Sequence, residues 1–303
     1  MILLYHLVFP DSTPNDTWNA GLVLRVQDFK RQLTWLKKRY KIFSLEQYME
    51  FYIQDQEHPK GAYALTFDDG YQQVFDLVKP FLLEAQIPAT FFSTTSHLED
   101  GRLLWFVYFN ALCSERVYPN ITIGTEKFDL TTHHSSLVAW RKLIRLARES
   151  GDPIAFAHDF ALQYPLPEAV CAKYAGLSAD QIREIGHQPL LTLGGHTHQH
   201  PYLDLISKET QSKEILINKN KLEEISGQPV TYFAYTGGIY DADTVAVVMQ
   251  AGFEAAFAIK PGCIGQDPRF EMPRVDIYAP SILKFKVKVY GFETLARKIL
   301  RWI

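Results

Sequence analysis

Short apolar runs alternate along the chain with longer stretches in which apolar positions recur every three or four residues. Ile2–Tyr5, Ala89–Ser93 and the runs at 63–67, 190–193, 230–235, 255–259 and 275–278 have the length and the β-branched or aromatic content of strands. Between them, residues 26–41 place Phe29, Leu33, Leu36 and Tyr40 on one helical face. Residues 74–85 keep that pattern, with Pro80 predicting a kink. Residues 207–226 predict a polar-faced helix with Ser207 as N-cap, and 242–252 a helix closed by Gly252. Strands alternating with helices predict an α/β fold. Residues 100–188 break the rhythm. They hold Trp105 and Trp140, a helical stretch at 136–149 and a helix start at 177–181, and are too apolar for a linker. They read as an insertion capping one end of a βα core, within a single domain spanning 1–303.

Composition narrows the class. At 303 residues, 47% hydrophobic and 21% charged, the chain can bury a sizeable core, which excludes global disorder. A net charge of −3 excludes a protein that coats nucleic acid. Aromatic residues reach 14%, which suits stacking on sugar rings as well as core packing. Cys113, Cys171 and Cys263 are far apart and form no Cys-x-x-Cys, which argues against a disulfide framework and against a zinc-thiolate site. No apolar run has the length of a membrane span, and the first residues lack a basic region and a small-residue cleavage site. The expectation is a cytoplasmic protein. Its tail is basic: Lys284, Lys286, Lys288, Arg297, Lys298 and Arg301 stand against Glu293 alone. Residues 292–303 carry an apolar helical face. That pattern fits a docked C-terminal helix (about 291–303) or peripheral contact with the inner face of an anionic membrane.

Two clusters carry chemistry. His196-Thr197-His198-Gln199-His200 follows an apolar strand and two glycines, and Thr66-Phe67-Asp68-Asp69-Gly70 also ends a strand. Strand C-terminal ends are where parallel α/β folds build sites. Imidazole with carboxylate suits zinc or another first-row divalent ion, and three protein ligands leave positions open for water and substrate. Either cluster alone also reads as a turn, with Asp capping amides and Gly taking positive φ. Their pairing at two strand ends favours a metal site. No nucleotide-binding glycine loop or serine-hydrolase elbow is present.

The run Leu65-Thr66-Phe67-Asp68-Asp69-Gly70-Tyr71 resembles the first motif of the polysaccharide deacetylases (carbohydrate esterase family four, the NodB-homology domain). His196-Thr197-x-x-His200 resembles their second motif, and Pro88-Ala89-Thr90-Phe91-Phe92 the strand they carry between the two. The resemblance covers residues 1 to about 98 and 177 to 280. It implies a distorted (β/α) barrel of the NodB type and metal-dependent removal of acetyl groups from N-acetylated sugars in a glycan or its precursor. It implies Asp69, His196 and His200 as metal ligands, zinc first with cobalt or nickel as alternatives. Asp68 is implied as general base and Thr197 as a hydrogen-bonding support of the histidine loop.

Two departures stand out. Relatives carry an acid in a Leu-x-x-His motif near the C-terminus, and this chain has no histidine beyond His200. Leu3-Leu4-Tyr5-His6 has that form at the end of the first strand. A closed barrel makes first and last strands neighbours, so His6 becomes the expected general acid. The third motif reads Phe233-Ala234-Tyr235-Thr236-Gly237-Gly238, with Thr236 where relatives have proline and no arginine nearby. Tyr235 and Gly237 are expected to face substrate, the Gly237 amide serving the oxyanion from a looser loop. Strand alternation puts Arg274 and Asp276 on one face. Arg274 is then expected to pair with Asp68 and Asp276 to orient His6, the alternative being an ordinary ion pair away from the site. Tyr71 and Trp105 are candidates for stacking on sugar. His133 and His134 read as loop, His198 as pointing away from the ligands, and His97, His158 and His187 as ordinary surface histidines. Two other functions compete: an amidohydrolase acting on a non-sugar amide, and a catalytically silent barrel that binds glycan or a partner.

Overall fold

The structure is a computed structural model that describes residues 1–18, 23–55, 61–259, 267–278 and 280–291. The strands are β1 (Ile2–Tyr5), β2 (Lys41–Ile42), β3 (Ala62–Phe67), β4 (Ala89–Ser93), β5 (Asn120–Ile123), β6 (Glu126–Asp129), β7 (Leu191–Gly195), β8 (Tyr232–Ala234), β9 (Ala255–Ala258) and β10 (Met272–Asp276). Parallel pairing runs β1-β10-β9-β8-β7-β4-β3, and β3 then pairs with β1, which closes a barrel. Short β2 adds to the start of β3, below the stretch that β1 occupies.

Closure gives each strand an inner and an outer face, and the burial pattern follows. Ile2, Ala64, Phe92, Ala234, Phe257 and Met272 form one apolar cluster from alternate strand positions. The interior is narrow, so small residues sit beside large ones; a Cβ on Gly194 would lie 2.3 Å from the Phe92 ring. Helix α1 (Val26–Lys37) lies outside the barrel, burying Phe29, Leu33 and Leu36 as its periodicity predicts. It stops four residues short of the predicted end because Lys41–Ile42 leaves to pair with β3. Helix α2 (Leu45–Asp55), unforeseen in the pattern, inserts Leu45, Tyr48 and Met49 into the inner cluster. Helix α3 (Gln72–Glu84) runs through Pro80.

Between β4 and β7 come α4 (His97–Asp100), α5 (Trp105–Ser114), the antiparallel β5–β6 hairpin, α6 (His133–Glu149), α7 (Pro153–Gln163), α8 (Glu168–Lys173) and α9 (Ala179–His187). Trp105, Phe109, Leu112, Leu143 and Phe160 belong to a separate apolar cluster there. The predicted loop at His133-His134 is instead the first turn of α6, because Thr132 caps it by accepting the Ser135 amide. Helix α10 (Lys208–Ser226) is capped by Ser207 as expected, and α11 (Ala242–Gln250) and α12 (Ile282–Val289) complete the set. The amphipathic segment 292–303 lies outside the described residues. Among the described residues no helix is long and apolar enough to cross a membrane.

Candidate active site

Every strand that contributes does so from its C-terminal end. β3 runs into Asp68-Asp69-Gly70, β7 into the histidine loop, β8 into Tyr235-Thr236-Gly237, β1 into His6, and β10 ends on Asp276. The turn after β3 is tight: Asp69 and Gly70 have φ of 71° and 72°. Left-handed Asp69 is a strained choice, and a Cβ on Gly70 would lie 2.3 Å from the Ser93 hydroxyl. This turn lets adjacent aspartates diverge.

Asp69 points at the histidines. Its Oδ1 lies 3.4 Å from Nε2 of His196 and 3.4 Å from Nε2 of His200. Ligand bonds of about 2.0–2.2 Å at tetrahedral angles separate ligand atoms by about 3.3–3.6 Å. The three buried donors therefore fit a first-row divalent ion. Nδ1 of His196 donates to the Ala234 carbonyl at 2.7 Å, which leaves the Nε2 lone pair facing Asp69. Burial pushes the His196 pKa down, but Asp68 and Asp69 outweigh it and raise it, so positive charge is favoured at this spot. Burial pushes His200 down further than Asp69 lifts it, which keeps that imidazole a neutral donor. The Tyr71 hydroxyl bonds Asp69; burial and then that carboxylate hold its pKa well up, so it stays a donor.

Asp68 turns toward the barrel interior. Its carboxylate receives two bonds from Arg274, Nη1 to Oδ1 at 2.7 Å and Nη2 to Oδ2 at 2.6 Å, with both side chains at most 3% exposed. Arg274 Nη1 also donates to the Thr66 hydroxyl at 3.3 Å, and the guanidinium lies 5.3 Å from the Phe92 ring. Burial pushes the Asp68 carboxyl up, but Arg274, His196 and His6 outweigh it and hold it below the usual range. The expected Arg274–Asp68 pairing is thus formed.

His6 and Asp276 share the rim. β1 pairs with β10, Leu4 opposite Asp276, which brings the first strand beside the last. His6 Nδ1 stands 3.9 Å from Asp276 Oδ1, with side chains 29% and 14% exposed, and among the described residues neither atom has a hydrogen-bond partner. Tyr278 stacks on His6 with ring centroids 6.0 Å apart, and its hydroxyl bonds Asp276. Sequence reasoning missed Tyr278, which there only ended a strand.

Some expectations need correcting. Tyr235 is 1% exposed; its hydroxyl donates to the Phe270 carbonyl at 2.8 Å and its ring stacks on Tyr240. Its side chain is therefore core, and its backbone amide and carbonyl are bonded to the Phe257 carbonyl and the Gly238 amide. Tyr71 and Trp105 are buried too, and neither offers a stacking face. Trp105 Nε1 donates to the His200 carbonyl at 2.9 Å while Phe106 packs on the His200 ring, so the α5 start backs the histidine loop. The third-motif loop is not slack: the buried Thr236 hydroxyl donates to the Pro201 carbonyl at 2.7 Å, tying that loop to the histidine loop. Gly237 takes φ of 61° there. Thr197 accepts the His200 amide at 3.1 Å, the support expected of it. His198 turns away to Thr95, with Nδ1 and Oγ1 2.9 Å apart. His97 is not an ordinary surface group: its Nε2 meets the Leu177 carbonyl at 2.9 Å.

Comparison with known proteins gives the family and the fold. The family model of polysaccharide deacetylases matches residues 55–256. The poly-β-1,6-N-acetyl-D-glucosamine N-deacetylase of Staphylococcus epidermidis is 31% identical over 108 residues, which is 35% of this chain and 36% of that protein. The match thus spans about a third of that relative's length. Among solved structures, the deacetylase PplD of Streptococcus pyogenes, in complex with acetate, superposes with a TM-score of 0.61 at 20% identity, covering 93% of this chain and 95% of its own. IcaB of Ammonifex degensii gives 0.57 at 19% identity, covering 93% of each. At these identities the two structures speak for the fold.

Proposed function

The chain belongs to the polysaccharide deacetylase family, and on that premise we propose that it hydrolyses the acetamide of an N-acetylated sugar in a glycan or glycan precursor. The observation that carries this reading is the convergence of Asp69, His196 and His200 beside the Asp68–Arg274 pair on one barrel rim. The S. epidermidis relative's name points to N-acetylglucosamine polymers as the first substrates to try.

Asp69, His196 and His200 would hold a divalent cation, zinc first and cobalt or nickel next. Such a cation supplies Lewis acidity toward the acetamide oxygen and the attacking water. Asp68, kept ionised by Arg274, takes the proton as water adds to the acetamide carbon. The backbone amide of Gly237 would stabilise the oxyanion. His6, on the strand beside the one that carries Asp68, gives its proton to the departing amine, with Asp276 3.9 Å from its Nδ1 to orient it. Carbon–nitrogen cleavage then yields acetate and the free amino sugar.

The test is metal content of the purified protein beside Asp69→Ala, with acetate release from N-acetylglucosamine oligomers on the same samples. Near-stoichiometric metal that is lost in the variant, together with acetate from the wild type, is the expected result. Metal without acetate would redirect the search to lipid-linked sugars or non-sugar amides. No metal in either protein after incubation with zinc, cobalt or nickel would overturn the enzyme reading.

A further inference from the structure

The histidine loop is strained. Thr197 and His200 both take left-handed backbone, with φ of 61° and 59°. Non-glycine residues in that region are strained and persist only where the surroundings over-determine them. Only the Thr197–His200 bond is internal to this short loop. The other restraints come from outside: the Thr95 and Ser96 amides donate to the His198 carbonyl, Trp105 donates to the His200 carbonyl, and α10 takes the loop's own amides.

Helix α10 buries polar side chains where a merely packing helix would bury apolar ones. Gln211, Glu214 and Asn218, spaced i, i+3 and i+7, share one buried face. Oε2 of Glu214 accepts the amides of both His198 (3.0 Å) and Gln199 (2.8 Å). Asn218 Oδ1 accepts the His196 amide at 3.0 Å, while its Nδ2 donates to the Ser93 carbonyl at 2.9 Å. Gln211 Nε2 donates to the Leu203 carbonyl at 2.9 Å just beyond the loop. Three of the loop's amides are thus tied to two side chains of one helix. One of these also pins the end of β4. Among the described residues none of these side chains has a hydrogen bond or ion pair to Asp69.

We propose that Glu214 and Asn218 are positioning residues of the metal site: they hold the histidine loop in the strained shape that brings His196 and His200 onto Asp69. The inference rests on the metal reading given above. A single oxygen of Glu214 takes both amides, so the position needs an acceptor and not a charge. Glutamine can supply that acceptor and leucine cannot.

Zinc affinity of the full chain, measured by competition with a chromophoric chelator, separates the possibilities, with the visible spectrum of the cobalt-loaded protein as a second readout. Glu214→Leu is expected to weaken zinc binding by about 10-fold or more, the usual effect of losing a partner that orients a ligand. It should also change the cobalt bands, while Glu214→Gln keeps both near wild type. Asn218→Leu should act in the same direction as Glu214→Leu. A folded Glu214→Leu protein with wild-type affinity and spectrum would overturn the proposal. If that variant does not fold, Glu214→Asp decides: its acceptor is one methylene short, so unchanged affinity there overturns it equally. Wild-type protein that binds none of zinc, cobalt or nickel would take down the metal reading and this inference together. Wild-type binding with unchanged variants would take down this inference alone.

Discussion

The two walls of the site are built differently. On the inner wall Asp68, Asp69, His196 and His200 are buried, and most of their polar atoms meet a partner within 3.4 Å. On the outer wall His6 and Asp276 stand 3.9 Å apart, partly open to water, with Tyr278 leaning over them. The difference fits the work each wall would do. Ligand atoms must keep their separations to hold an ion, and a buried base must stay ionised, so both need fixed partners. An acid must exchange its proton with water in every turnover, so it needs access. The inner wall obtains rigidity by burying charge in pairs, which makes it intolerant of losing one partner. The outer wall can lose a member and leave the fold intact.

Arg274→Leu should break the inner wall most severely. It leaves the Asp68 carboxylate buried without its partner, a loss of about 3–5 kcal/mol measurable by urea unfolding. In the wild type the Asp68 pKa is depressed, so the pair's stabilisation is complete above the ordinary carboxylate range and is lost as pH falls below it. Without Arg274, burial acts with less opposition and raises the Asp68 pKa. The acidic limb of the activity profile should then move to higher pH; an unmoved limb would mean that Asp68 is not the base. His6→Gln should do the reverse. Acetate release falls by about 10²–10⁴-fold, the range for a lost general acid, while zinc content and thermal midpoint stay at wild-type values. A parallel loss of zinc would place His6 on the inner wall. Thr236→Val is the smallest change. It strands the buried Pro201 carbonyl, at a cost of about 1–3 kcal/mol, and frees the third-motif loop from the histidine loop. Turnover should fall with little change in zinc affinity, and a fall in zinc affinity as large as that of Glu214→Leu would show that the two loops share one restraint.

Legibility follows the same divide. Asp68-Asp69-Gly70 and the paired histidines announce themselves because the tight turn and the ligand spacing are local features. The pairing of Arg274 with Asp68, 206 positions away, could be argued only through strand parity and barrel closure. Glu214 and Asn218 left no such trace, since buried polar residues on a helix look like a solvent face in sequence. Tyr235 misleads for the opposite reason: by its motif it reads as a contact residue, while its side chain is core. The β5–β6 hairpin was also unread, its strands being short and its alternation weak.

The amino-acid sequence by itself determined the α/β alternation, the Ser207 cap of α10, and the two strand ends that carry metal-ligand chemistry, because periodicity and turn propensities act over a few residues. Tertiary structure alone decided which strand ends meet across the rim, which face of α10 is buried, and how Thr236 joins two loops. Those depend on the register with which β1 closes between β3 and β10. Register is set by packing of the whole barrel interior, and no single stretch of chain contains it.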